Sequence, residues 1–142
     1  MIRLPSIREI QAVLRNYTVI AVVGLSPKPV RPSHQVAQYM LRAGYRIIPV
    51  NPGHAEILGR KCYPDLLSVP EDIDIVNIFR RADLVLPIIR DAITAKAKVI
   101  WMQEGIVNEQ AAKLAEEYGL TVIMDRCIMV DHQQYYHRPD EM

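Results

Sequence analysis

The 142 residues suffice for one domain around one core; half are hydrophobic and 23% charged, the balance of an ordinary globular protein. A formal net charge of +1 excludes a globally basic nucleic-acid binder, so an anion site has to be assembled from local charges. No run approaches a membrane span, Met1 to Tyr17 reads as a helix rather than a signal peptide, and Cys62 and Cys127 without such a signal predict reduced thiols in a cytoplasm.

Ser6 can cap an opening helix, IREIQAVLRN, whose Ile7, Ile10, Val13 and Leu14 share one face. TVIAVVG follows as a first strand, apolar on both faces like a covered strand of a parallel sheet. Ser33 is the predicted N-cap of HQVAQYMLRAGY, with Val36, Ala37, Met40 and Leu41 facing the sheet and Gly44 closing the helix. RIIPV is the second strand. NPGHAEILGRKCYPDLLSVPED is punctuated by Pro and Gly and predicts loop, with a short extended piece at Lys61 to Tyr63. DIVNIF is the third strand, and the helix from Leu86 to Lys96 tolerates Pro87 because it lies in the first turn. KVIWM is the fourth strand, Asn108 caps EQAAKLAEEYG, and LTVIMD is the fifth. The tail RCIMVDHQQYYHRPDEM carries weak signals and predicts a solvated segment that includes His132 and His137.

Strands alternating with helices at this spacing predict an α/β fold. The sheet is Rossmann-like, doubly wound and five-stranded, all parallel, in order 3-2-1-4-5 with helices on both faces. One domain spans 1–142, with a core of about 18–132, an N-terminal helix in 1–17 and a tail in 133–142. In such a sheet the ligand lies beyond the carboxyl ends of the strands, here at a switch between strands 1 and 4.

Chemistry is therefore expected in five loops. The first, GLSPKPVRPS, lacks the glycines of G-x-G-x-x-G: after Gly24 their places are taken by Ser26 and Pro29. It keeps what an anion needs, namely a turn at Gly24, the hydroxyls of Ser26 and Ser33, the charges of Lys28 and Arg31, and a helix N-terminus. Pro27, Pro29 and Pro32 stiffen it; a surface loop with two solvated cations is the alternative. The second loop, Val50-Asn51-Pro52, lacks the acid that holds an unphosphorylated ribose 2′-hydroxyl, and so suits a phosphorylated ribose, as in NADP or coenzyme A. The third, Phe79-Arg80-Arg81, offers an aromatic ring and guanidiniums for adenine and phosphate, or else solvated arginines at a helix start. In the fourth, Gly105 permits close backbone approach, while Gln103 and Glu104 can bond a ribose or a pantetheine amide.

The combination VVGLSPKP, GYRIIPVNPG…ILGRKCYPDL, DIVNIFR, KVIWMQEGIVNEQA and GLTVIMDRC resembles the CoA-binding domain family. That family is the single-domain relative of the nucleotide-binding domain of the succinyl-CoA synthetase α subunit. The resemblance runs from about Thr18 to His132 and implies coenzyme A, or an acyl-CoA, over the strand ends. Residue by residue it implies phosphate and ribose contacts from Gly24, Leu25, Ser26, Pro27 and Lys28. Val50, Asn51 and Pro52 would border the adenosine half, Ile78, Phe79 and Arg80 the adenine, and Gln103, Glu104, Gly105 and Ile106 the pantetheine. His54 stands where the α subunit has a lysine, which implies a weaker, pH-dependent cationic contact and shifts weight to Lys28, Arg31 or Arg80. The α subunit's second domain, with its phosphorylated histidine, has no counterpart here, so the resemblance implies binding without ligase chemistry, as a carrier, sensor or partner subunit.

Cys127 follows strand 5, where a ligand's reactive end would pass; a mixed disulfide with CoA, favoured by Arg126, is one reading and a semi-buried structural cysteine the other. Cys62 is expected to fill structure. Cys127, His132 and His137 form a weak metal pattern, and no metal, catalytic triad, nucleic-acid surface or membrane contact is expected. The competing function is an NADP-dependent oxidoreductase-like nucleotide domain, against which stand the five strands and the lack of a substrate domain. The expected state is a monomer or small homo-oligomer.

Overall fold

The structure, a computed structural model, describes residues 4–139; residues 1–3 and 140–142, ends of the predicted N-terminal segment and tail, lie outside them. Five strands form one parallel sheet: β1 (Val19–Val23), β2 (Arg46–Val50), β3 (Ile75–Ile78), β4 (Val99–Met102) and β5 (Thr121–Ile123). Its order is β2-β1-β3-β4-β5, not the expected 3-2-1-4-5. The third strand lies in the middle, Ile20 pairing with Ile47 on one side and Ile75 on the other. All four residues of β3 are buried, which suits an interior position.

Pro49 explains the difference. In a parallel strand the N–H and C=O of one residue point the same way. The Pro49 carbonyl accepts from the Tyr63 amide on the outer side of β2, so the N–H that proline lacks would face outward too. A full third strand could not pair there; an edge strand tolerates it. Among the described residues a single bridge from Val50 to Tyr63 is all that extends the sheet past this edge. The connection between β2 and β3 holds only a two-residue hairpin, Glu56–Ile57 with Arg60–Lys61, and a 3₁₀ turn at Leu66–Ser68.

Alternation along the strands sorts the core into two layers. Ala21, Ile48, Val76, Ile100 and Val122 face α3 (Val85–Thr94) and α4 (Glu109–Glu117), through Ile89, Ala92, Ala111 and Ala115. Ile20, Ile47, Ile75, Trp101 and Ile123 face α1 (Ile7–Asn16), α2 (Pro32–Arg42) and α5 (Ile128–Tyr135). Trp101 is fully buried, and its Nε1–H donates to the Arg126 carbonyl at 2.9 Å.

Local signals explain most helix ends. Ser6 and Glu9 form a reciprocal capping box on α1, and Asn108 caps α4 by accepting from the Ala111 amide. Ser33 is not a cap. The helix begins two residues earlier than expected, at Pro32, whose fixed φ suits the first helical position. A 3₁₀ turn, Ala82–Leu84, leads into α3.

The tail beyond β5 is mostly a helix rather than a solvated segment: His132 is buried in it, while His137, past its end, is exposed as expected. The face of α5 turned to the protein is Ile128, Asp131, His132 and Tyr135, helical spacing with polar residues at two of the four places. Arg126 donates from two of its guanidinium nitrogens, Nε and Nη2, to Asp131, and His132 Nδ1 lies 2.7 Å from the Tyr39 hydroxyl. At its far end α5 is held by α1: buried Gln11 donates to the carbonyls of Tyr135 and Arg138, and Arg15 to those of Tyr136 and Arg138.

Candidate functional site

A cleft of about 950 Å³ lies over the carboxyl ends of the strands, at the upper end of the range for small-molecule sites. Every main strand sends a loop to it. Gly24, Ser26, Pro27, Lys28 and Arg31 follow β1, and Asn51 and His54 follow β2. Phe79, Arg80 and Arg81 follow β3, Gln103, Glu104 and Ile106 follow β4, and Cys127, Met129 and Val130 follow β5. The chain goes out from β1 to β2 and then back past β1 to β3, so the switch in direction lies between β1 and β3 rather than at the expected place.

The first loop is held by its own hydrogen bonds. The Ser26 amide donates to Ser33 Oγ at 3.0 Å, and the Lys28 amide to Ser26 Oγ at 3.1 Å. The Ser26 carbonyl faces His34 Nδ1 at 2.9 Å; a carbonyl only accepts, so this imidazole carries a proton on Nδ1. Ser33, expected to offer its hydroxyl to a ligand, thus holds the turn while lining the cleft. Gly24 has φ +88°, and a Cβ there would sit 2.4 Å from the Phe79 carbonyl oxygen. The glycine is required by the approach of β1's end to β3's end.

Asn51 uses both ends of its amide inside the protein. Its Nδ2 donates to the Leu25 carbonyl at 2.8 Å, and its Oδ1 accepts a longer 3.4 Å contact from Arg80. The residue where an NAD enzyme has an acid therefore ties the first loop to the third. Lys28, Arg31, Arg80 and Arg81 bring four guanidinium or ammonium groups to the lining, with His54 among them, against the single carboxylate of Glu104.

On the β4 side the polar groups are ordered through the core. Asn77, 1% exposed, donates from Nδ2 to the Trp101 carbonyl at 3.2 Å and to Gln103 Oε1 at 3.3 Å. The Ile128 amide points at the same oxygen at 3.5 Å. The Gly105 amide is engaged by Asp125 at 2.6 Å; its φ is +87°, and among the protein's own atoms a Cβ there would meet nothing within 4 Å.

Some expected site residues lie elsewhere. The side chains of Leu25, Val50 and Ile78 are in the core, at 0%, 2% and 0% exposure. Pro52 lines a separate pocket of about 160 Å³ that shares Arg80 with the main cleft. Arg126 forks onto Asp131 rather than turning to the Cys127 thiol, and that hydrogen bond and charge hold its guanidinium pKa up. Cys62 fills structure as expected: it is buried, its Sγ donates weakly to the Asn51 carbonyl, and burial pushes its pKa up. The sequence reading missed Gln35, Val36, Met129 and Val130. The last two become legible once α5 is known to start at Ile128.

Residues 18–133 match a family described as the CoA binding domain. Among curated proteins, the uncharacterized protein YneT of Bacillus subtilis is 47% identical over 128 residues, covering 90% of this chain and 95% of its own. A solved hypothetical protein of Pyrococcus horikoshii OT3 is 39% identical, with a TM-score of 0.91 over 95% of this chain and 97% of its own. The ADP-forming acetate–CoA ligase I of Archaeoglobus fulgidus is 27% identical over 78% of this chain, and the match spans 18% of that ligase.

Proposed function

Because the chain belongs to the CoA-binding domain family, we propose that it binds coenzyme A or an acyl-CoA in the cleft over its strand ends. The whole chain then acts as one binding unit, a carrier, sensor or partner subunit without covalent chemistry of its own. The observation that carries the reading is the charge of the cleft: Lys28, Arg31, His54, Arg80 and Arg81 surround it, and the end of β2 offers an amide where a carboxylate would repel a ribose phosphate. Lys28, Arg31 and the ordered loop from Gly24 take the pyrophosphate, His54 and Arg80 the 3′-phosphate, and Phe79 the adenine. Gln103, Glu104 and Ile106 then lie along the pantetheine.

No helix among the described residues is long and apolar enough to cross a membrane, and Cys62 and Cys127 are both free thiols. These features support a cytoplasmic setting.

The test is a calorimetric comparison of CoA, dephospho-CoA, NADPH and NADH. CoA is expected to bind tightest. Each charge-assisted hydrogen bond to the 3′-phosphate contributes about 1.5–3 kcal/mol, so dephospho-CoA should bind at least about tenfold more weakly. NADPH binding tighter than CoA would instead support the oxidoreductase-like alternative and overturn this reading.

A further inference from the structure

The sheet order lays the cleft out as a line. Across it the lining groups come from β2 (His54), β1 (Lys28, Arg31), β3 (Arg80), β4 (Gln103) and β5 (Cys127), with Met129 and Val130 beside the last. The cations belong to the first three strands. Beyond them the lining is a primary amide, a thiol and three apolar side chains, Ile106, Met129 and Val130, with exposed Glu104 further disfavouring an anion.

Gln103 is 7% exposed, and its amide has one possible orientation. The Trp101 carbonyl can only accept, so Asn77 presents its Nδ2 to it; that same Nδ2 faces Gln103, which must answer with Oε1. The Ile128 amide approaches the same oxygen. The end of Gln103 left to the cleft is therefore Nε2, a donor.

Resting on the CoA reading, we propose that this end of the cleft recognises an acyl thioester rather than a free thiol. Gln103 Nε2 donates to the thioester carbonyl oxygen, and a short acyl chain lies against Met129, Val130 and the Cys127 side chain. The reach is right. From β1 to β5 there are three strand intervals, ~14 Å. The pantetheine arm has roughly a dozen chain atoms, as many as about four residues of backbone, or ~14 Å extended. A thioester adds to the thiol a carbonyl acceptor and an apolar tail, the two groups for which this end is built.

The experiment measures affinities for CoA, acetyl-CoA and S-ethyl-CoA, a thioether that keeps the tail and lacks the carbonyl. Acetyl-CoA should bind about three- to tenfold tighter than S-ethyl-CoA, the effect of one neutral hydrogen bond. Gln103→Leu should bring that ratio to about one, but it also leaves Asn77 and Ile128 short of an acceptor. Gln103→Glu keeps that acceptor and turns an oxygen to the cleft, so the ratio should fall below one. Tight CoA binding with equal affinity for the two analogues would overturn this inference and leave the CoA reading standing. A wild-type preference that survives in Gln103→Glu would overturn the assignment to Gln103. No binding of CoA itself would overturn both.

Discussion

Gly24 shows how a single residue couples local conformation to topology. Its φ of +88° alone disfavours any side chain, and its missing Cβ lets the Phe79 carbonyl come close. Gly24→Ala should therefore lower stability by about 2–4 kcal/mol, strain and displacement of the β3 end together. Denaturant unfolding checks this, and a variant within 0.5 kcal/mol of wild type (about the scatter of surface substitutions) would mean the turn relaxes freely. The need for a sharp turn at Gly24 was legible from its place after TVIAVV. The crowding was not, because it exists only if β3 lies beside β1. Gln103 has the same history. Its place after the fourth strand was readable, while the direction of its amide is dictated by Asn77 on the neighbouring strand.

Among the elements, α5 was the least legible, since its inner face mixes Ile128 with Asp131 and His132 and shows no apolar stripe. Hydrogen bonds, which sequence periodicity does not register, satisfy those polar groups. The second strand misled for the opposite reason: its apolar run read correctly, and Pro49 marked an edge that the expected strand order ignored. His132 gives α5 a testable pH dependence. The rings of Tyr39, Tyr45, Tyr136 and His137 surround it, and burial first, then the charge of His137, lower its pKa from the ordinary 6.5. The unfolded chain then takes up this proton more readily than the folded one. Stability should be full above pH 6.5 and decline as pH falls through 6.5 toward the lower folded value. His132→Gln should melt lower than wild type near neutrality yet lose less on acidification from about pH 7.5 to 5.5. Parallel curves for the two proteins would show that His132 does not carry the effect.

At the scale of the whole molecule a net charge of +1 conceals an uneven distribution, with cations from three loops converging on one cleft. Composition excluded a basic protein and pattern supplied the loops, but only the fold shows that they share one surface. Screening lengths contract from about 10 Å at 0.1 M salt to about 3 Å at 1 M. Affinity for CoA should accordingly fall about tenfold or more across that range, and the gap to dephospho-CoA should narrow with it. Titrations in rising potassium chloride check this; a flat response would place the phosphates away from Lys28, Arg31 and Arg80.

The chain's one tryptophan gives these measurements an optical handle. Trp101 is enclosed by the core, yet its indole N–H bonds to the backbone of Arg126, one residue before the cleft-lining Cys127, and its own carbonyl holds Asn77. Its emission belongs to a dry environment and will move to longer wavelength on unfolding. A ligand that shifts the turn between β5 and α5 will perturb the same indole without unfolding anything. Occupancy and integrity of the native, unlabelled protein can thus be read from one chromophore, by intensity in the first case and by colour in the second.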